Sequence, residues 1–273
     1  MSIYQKFKNA HKQLSTRIIG QEALVNKLFI ALLADGHLLV EGAPGLAKTR
    51  AIKELGELIE GDFHRIQFTP DLLPADLTGT EIYRPQDGSF HFQQGPLFHN
   101  LLLADEINRA PAKVQSALLE AMAEKQITIG RETYPLPSLF LVMATQNPIE
   151  QEGTYPLPEA QLDRFLMHIR IDYPDQNAEK AILELNREEA REELQNLSQH
   201  QGVTNTTLIS QQDLFSARQE ILDIHMSPEV EEYLVQIILA TRDPSPYDQR
   251  LANWLNYGVS PRATIALDLS LIH

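Results

Sequence analysis

The run Gly42-Ala43-Pro44-Gly45-Leu46-Ala47-Lys48-Thr49 constrains this chain more than any other stretch. An apolar segment, Leu38-Leu39-Val40, precedes it, and Ala51, Ile52, Leu55, Leu58 and Ile59 follow at helical spacing. Strand, glycine-bearing loop ending in Lys-Thr, then helix is the layout of a phosphate-binding loop. The glycines let backbone N–H groups close around phosphate oxygens, and the helix N-terminus adds a favourable dipole end. Lys48 would reach the β/γ oxygens and the Thr49 hydroxyl would ligate Mg²⁺. The binding set read here runs through Gly42, Ala43, Pro44, Gly45, Leu46, Ala47, Lys48, Thr49 and Arg50. One position departs from the strict pattern G-x-x-x-x-G-K-[ST]: Ala47 stands where glycine is usual. An αR backbone at that point tolerates a methyl group, so the loop is expected to accept it.

Length and composition limit the alternatives. At 273 residues with 43% apolar content, the chain suits one sizeable α/β core and a smaller appendage. It has no cysteine, which excludes disulfide frameworks, thiolate catalysis and Cys-based zinc sites. The nine histidines form no H-E-x-x-H or His-x-His pairing. Met1 to Leu14 is polar and basic without the apolar stretch of a signal peptide, so none is expected there, and the longest apolar run, Leu28 to Ala34, is too short to cross a bilayer. A cytoplasmic protein without membrane insertion is expected. The net charge of −14 disfavours nucleic acid as main partner, because nonspecific binding depends on Lys and Arg neutralising phosphates.

Five apolar segments read as buried strands: Leu38–Glu41, Phe63–Phe68, Leu101–Asp105, Leu139–Thr145 and Phe165–Ile171. Helical patterns fall between them, at Thr49–Ile59 and Val114–Lys125, which implies a doubly wound, mostly parallel sheet. Ligands in such sheets gather outside the carboxyl ends of the strands. Two excursions, Thr78–Pro96 and Gln126–Pro135, alternate around glycine-containing turns and read as hairpins. Residues 1–172 form the expected core. From 173 to 273 the pattern turns helical, with amphipathic segments at Asn177–Leu197 and Ser227–Thr241 and a residual strand signal at Val203–Ile209. The last apolar helical pattern runs to Ile272 without a cap, so this helical domain is expected to be incomplete.

Further candidates sit at the predicted strand ends. Leu101 to Glu106 is an apolar strand closing on two carboxylates. Asp105 is placed to hold a water on Mg²⁺, and Glu106, one residue further out, to polarise an attacking water. Asn147 ends the fourth strand, where it would meet the γ-phosphate or that water; by itself an Asn-Pro pair is also a plain turn. Arg164 leads into the fifth strand. It is either a surface arginine or a finger reaching a neighbour's phosphates.

Together these pieces resemble the AAA+ ATPases, and more closely the MoxR branch of the helix-2-insert group. The likeness covers almost the whole chain and implies a P-loop αβα sandwich with a five-stranded parallel sheet, followed by a smaller α-helical lid. Ile18-Ile19-Gly20-Gln21 looks like the segment that cups adenine, giving Ile19 and Gly20 as binding residues. Gly42 to Thr49 looks like Walker A, Leu101 to Glu106 like Walker B, Asn147 like sensor 1 and Arg164 like the arginine-finger box. Gly258-Val259-Ser260-Pro261-Arg262-Ala263 resembles sensor 2, with Arg262 turned toward the γ-phosphate. Glu106 to Pro111 and Gln151 to Pro158 are also of MoxR type. The resemblance makes the excursions the helix-2 insert and the presensor-1 hairpin, and gives Gln67 the place of a residue that holds Glu106 inactive until assembly. It implies Mg²⁺-dependent ATP hydrolysis, a homo-oligomeric hexameric ring, and remodelling of a protein client, often through von Willebrand factor A partners. The competing expectations are a nucleotide-dependent scaffold with negligible turnover and, less favoured by the charge, a DNA-remodelling motor.

Overall fold

The computed structural model describes residues 1–148, 153–199 and 207–271. Two helices, α1 (Ile3–Arg17) and α2 (Glu22–Leu33), open the chain. The Ser2 side chain caps α1 by accepting from the Gln5 amide. Then come β1 (Leu38–Glu41), α3 (Lys48–Leu58), β2 (Phe63–Gln67) and the short α4 (Pro74–Thr78). A hairpin of β3 (Gly79–Arg84) and β4 (Ser89–Gln94) precedes β5 (Leu101–Asp105) and α5 (Ala112–Glu124). A second hairpin, β6 (Gln126–Ile129) with β7 (Glu132–Pro135), leads to β8 (Leu141–Gln146), α6 (Glu159–Leu162) and β9 (Met167–Arg170). Helices α7 (Gln176–Gln199), α8 (Gln211–Leu222), α9 (Pro228–Arg242) and α10 (Pro261–Leu271) complete the described chain.

The five segments expected as buried strands form one parallel sheet in the order β2-β5-β8-β1-β9. The apolar runs of the three central strands, β5, β8 and β1, follow from burial on both faces, while the edge strands β2 and β9 mix buried and exposed positions. Leu38 and Val40 of β1 and Leu101 and Leu103 of β5 point into one core, with α1, α2 and α3. Leu39, Leu102 and Ala104 point into the other, with Val114, Leu118 and Leu119 of α5. β1 and β5 have the expected bounds, whereas β2, β8 and β9 are one to three residues shorter than their segments, because those segments continue into buried loop positions such as Phe68, Leu139 and Phe165.

Ile209 and Leu214 belong to the first core, so the segment after residue 172 is partly built into the sheet's own packing. Lys6 of α1 donates to Asp213 of α8 at 2.7 Å, and Arg218 donates to the Leu32 carbonyl at 2.7 Å. Of the strand signal at Val203–Ile209, residues 203–206 lie outside the described residues, and the described part makes a parallel bridge between Ile209 and Ile59. No helix among the described residues is long and apolar enough to cross a membrane.

Both excursions are antiparallel hairpins, as their alternation implied. Gly79 and Gly95 close the base of the first. A Cβ on Gly95 would lie 2.3 Å from the Leu77 carbonyl oxygen, so the two backbones cross with no room for a side chain. The hairpins touch one another: the rings of Phe92 and Tyr134 stack with centroids 4.2 Å apart.

His37, just before β1, is buried and packs edge-on against Phe140. Its Nδ1 accepts from the Val142 amide at 3.1 Å, which leaves the proton on Nε2, facing the Met122 carbonyl at 3.4 Å. Burial pushes its pKa from 6.5 down to about 4. Between these values the unfolded chain binds the proton and the folded chain does not, so stability is full above pH 6.5 and declines as pH falls toward 4. The expected loss is about 3 kcal/mol over that window. Urea unfolding at half-unit pH steps checks this; His37→Gln should flatten the slope, and an equal slope in the variant would assign the loss to other groups.

Candidate active site

The loop after β1 is shaped by two glycines with different tasks. At Gly42 a Cβ would sit 2.5 Å from Ile171 Cγ1 and 2.9 Å from the Ile171 carbonyl oxygen, so only glycine fits. At Gly45 the surroundings are open but φ is +84°, a conformation that side chains resist. Ala47 lies at φ 57°, ψ 16°, in the left-handed region immediately before α3. The αR backbone expected there is corrected: the turn into α3 requires a positive φ, and alanine carries the strain. Lys48 curls back over the loop, and its Nζ donates to the Gly42 carbonyl at 2.6 Å. Partial burial lowers the Lys48 pKa, opposed by the nearby Asp105 and Glu106 carboxylates. No acidic side chain occupies the first turn of α3, which leaves its amide dipoles open to an anion.

The second half of the site is the end of β5. Asp105 is buried. Its Oδ1 accepts from Thr145 Oγ1 at 2.6 Å, and its Oδ2 accepts from Arg65 Nη2 at 2.6 Å and Nε at 3.1 Å. Glu106 leaves the strand at φ 58°, ψ 49°, the left-handed region again. Its amide donates to Thr145 Oγ1 at 2.9 Å, so the one hydroxyl ties both acidic residues to β8. Gln67 Nε2 donates to Glu106 Oε2 at 2.8 Å, the contact expected from position, and Arg109 reaches the same oxygen at 3.0 Å. Asn147, buried at the end of β8, faces the same space.

Lys48, Thr49, Asp105, Glu106 and Asn147 line one cavity of about 400 Å³, with Arg65 and Gln67 on its β2 side. A second cavity of about 250 Å³ shares Pro44, Gly45, Leu46, Ala47 and Arg50 with it. Ile19, Gln21, Tyr173, Pro174 and the α7 residues Ile182, Leu185 and Asn186 form its walls. Gly20 adjoins it at φ +77°, and a Cβ there would lie 3.0 Å from the Ala178 side chain. Gln21 Nε2 holds this corner by donating to the Asp172 carbonyl at 2.9 Å. Arg50 pairs with Glu189 of α7, which draws that helix over the loop. The second cavity is the more apolar of the two, and the loop lies between them.

Arg164 and Arg262 are elsewhere. Both line a cavity of about 640 Å³ with Gly36, His37, Phe165 and Leu166. These residues precede β1 and β9, so this is the amino edge of the sheet, opposite the loop. Ser260 Oγ donates to both Asp163 oxygens, at 2.6 and 2.8 Å, and fixes the start of α10 beside Arg164. The expectation that Arg262 turns to the phosphate loop is not met within one chain; the Asp163–Ser260 tie places it on the other edge.

Residue reading overlooked Thr145, Arg65, Arg109 and the α7 wall. Thr145 carried a signal, a lone hydroxyl in an otherwise apolar strand. Arg65 stands two positions from Gln67, on the same face of β2.

A glycine-bearing loop after β1 and acidic residues at the end of β5 make this a P-loop α/β fold. The profile of the ATPase family associated with various cellular activities (AAA) matches residues 37–167. The chaperone MoxR1 of Mycobacterium tuberculosis is 44% identical over 254 residues, covering 92% of this chain and 63% of that protein. YeaC of Bacillus subtilis, an uncharacterized protein, is 43% identical over 251 residues, 92% of this chain and 72% of its own length. A crystal structure from Cytophaga hutchinsonii, classed as an ATPase, matches with TM-score 0.82 and 44% identity, covering 98% of this chain and 78% of that one. The chain belongs to the MoxR family of AAA+ ATPases. It spans 63% of the length of MoxR1 and 72% of that of YeaC.

The strain at Ala47 gives a direct test. Left-handed backbone costs a non-glycine residue about 1–2 kcal/mol, against about 0.5–1 kcal/mol of extra unfolded-state entropy for glycine. Ala47→Gly should therefore raise unfolding stability by roughly 0.5–1 kcal/mol in urea titration. A destabilised variant would contradict a strained loop.

Proposed function

We propose that this chain is an Mg²⁺-dependent ATPase that works as a chaperone-like remodeller of partner proteins, in an oligomeric ring that the family suggests is hexameric. One observation carries the reading. Lys48, Thr49, Asp105, Glu106 and Asn147 line a single cavity at the carboxyl edge of the sheet, while Arg164 and Arg262 share the amino edge. A complete hydrolytic site then takes two copies, the loop of one facing the arginines of the next.

The donor set suits Mg²⁺. A hydroxyl and a carboxylate are hard oxygen ligands, and a guanidinium already lies on Asp105 Oδ2, which marks that oxygen as a cation partner. Bound between Thr49 and Asp105, Mg²⁺ would neutralise charge on the β and γ phosphate oxygens. The remaining roles fall to side chains. Lys48 leaves the Gly42 carbonyl to meet the phosphates, and the α3 amides bind their oxygens. Ile19, Gly20 and the α7 wall enclose the base. Glu106 polarises the attacking water once it is free of Gln67 and Arg109, and Asn147 orients that water or the γ-phosphate. Arg164 and Arg262 from the neighbour stabilise charge in the transition state. The hairpins, stacked through Phe92 and Tyr134, would pass the resulting movement to a client, including one presented by a von Willebrand factor A partner.

The test is ATP turnover per subunit against protein concentration. Turnover should climb with concentration. Glu106→Gln should lower it at least about a hundredfold, and Arg164→Ala about a thousandfold, with ATP binding retained in both. Mixing the two variants should restore part of the rate, since a wild-type Glu106 then faces a wild-type Arg164. Flat specific activity together with an unaffected Arg164→Ala would refute the shared site.

A further inference from the structure

We propose that Arg65 is a displaceable counter-ion for Asp105 that sets how much Mg²⁺ the site needs and, through Gln67, keeps Glu106 restrained until Mg²⁺ and nucleotide arrive. The inference rests on the nucleotide reading above and names a control within that site.

The cations of the phosphate cavity are committed within the chain. Lys48 is held by the Gly42 carbonyl, Arg50 by Glu189, and Arg65 by Asp105. Arg65 is the one set directly on the carboxylate that a metal shell would use. Two of its nitrogens converge on Oδ2 while Thr145 occupies Oδ1, so both oxygens of Asp105 are engaged. Oδ1 keeps one lone pair beside the Thr145 hydroxyl, but Oδ2 becomes available to a hydrated Mg²⁺ shell by exchanging the guanidinium for the ion.

The same guanidinium makes a second contact. Arg65 Nη2 donates to Gln67 Oε1 at 2.9 Å. An amide whose oxygen is held this way presents its NH₂ on the other side, and Gln67 Nε2 indeed donates to Glu106. Alternation along β2 puts Arg65 and Gln67 on one face, with Ile66 buried between them on the other. Arg65 therefore bears on both acidic residues, on Asp105 directly and on Glu106 through Gln67, while Arg109 holds the same Glu106 oxygen from the other side of the residue's own turn. When Asp105 gives up the guanidinium, the orientation of the Gln67 amide goes with it. The arginine side chain is about half exposed, at 49%, so it has solvent to swing into.

The experiment titrates a fluorescent, non-hydrolysable ATP analogue into the full chain, from EDTA through millimolar Mg²⁺, for wild type, Arg65→Ala and Arg65→Lys. Removing the competitor should lower the Mg²⁺ midpoint about two- to fivefold in Arg65→Ala, the scale of a half-exposed ion pair. Arg65→Lys should fall between, because lysine keeps the charge but loses the fork that spans Asp105 and Gln67. Affinity in EDTA should stay within about twofold of wild type, since the arginine is not used as a phosphate ligand. An unchanged midpoint overturns the proposal. So does a large loss of EDTA affinity without a midpoint shift, which would make Arg65 a phosphate ligand. If wild type binds no analogue at any Mg²⁺ concentration, the nucleotide reading itself fails, a result distinct from either.

Discussion

A sheet buried on both faces can offer polar chemistry only where its strands end. β1, β5 and β8 carry apolar side chains into cores on each side, with Leu38 and Leu39, Leu101 and Leu102, Met143 and Ala144 alternating between them. Those three central strands have no lateral surface on which a charged group could sit without desolvation. Lys48, Asp105, Glu106 and Asn147 therefore lie at carboxyl ends or just beyond them, and Arg65 reaches them from the exposed face of the edge strand β2. Parallel register then aligns those ends: Glu41 pairs with Gln146, and Gln67 with Asp105. Convergence of Lys48, Asp105, Glu106 and Asn147 is a geometric consequence of this sheet before it is anything chemical.

What holds the convergence still is a set of hydrogen bonds centred on Thr145. Its buried hydroxyl donates to Asp105 and accepts from the Glu106 amide, so β8 fixes the end of β5 in position and in direction. Glu106 can then occupy a left-handed conformation that an isolated residue would leave. Ala47 is held likewise between β1 and α3. Strain sits at the two points where backbone must turn sharply into the cavity, and the well-packed sheet on either side keeps it there.

The sheet was readable from the chain because its signal is local. Four to seven apolar residues, bounded by glycine, proline or acidic residues, specify a buried strand wherever they occur, and all five were found in nearly their observed positions. The loop and the Asp105-Glu106 pair were readable for the same reason. Contacts that cross the sequence were not. Arg65 meets Asp105 from 40 residues away, and nothing in the local pattern around Arg65 distinguishes it from a solvated strand residue. Arg262 was misplaced because its position depends on where α10 docks, and that is settled by Ser260 finding Asp163 across 97 residues. The conformation of Ala47 was misread for a narrower reason: steric tolerance of a methyl group says what an αR turn would permit, not which turn the strand-to-helix geometry demands.

The split between the two edges has a consequence for how such a molecule can be regulated. The residues proposed to bind phosphate lie at the carboxyl edge of the sheet and Arg164 at its amino edge, so a single chain cannot bring Arg164 to the loop without breaking the cores that hold the sheet between them. Assembly of copies is the cheaper route. Within each copy, the acidic residues then need restraint while they wait, because Asp105 and Glu106 are adjacent like charges close to the half-buried Lys48. The β2 face supplies that restraint with Arg65 and Gln67, and β2 runs directly into α4 and the β3–β4 hairpin. Gly79 and Gly95 bring the base of that hairpin into backbone contact with the end of α4, and the Phe92–Tyr134 stack joins it to the second hairpin. The two hairpins are thereby joined to each other and to the strand that holds Glu106 by a continuous run of backbone and ring contacts.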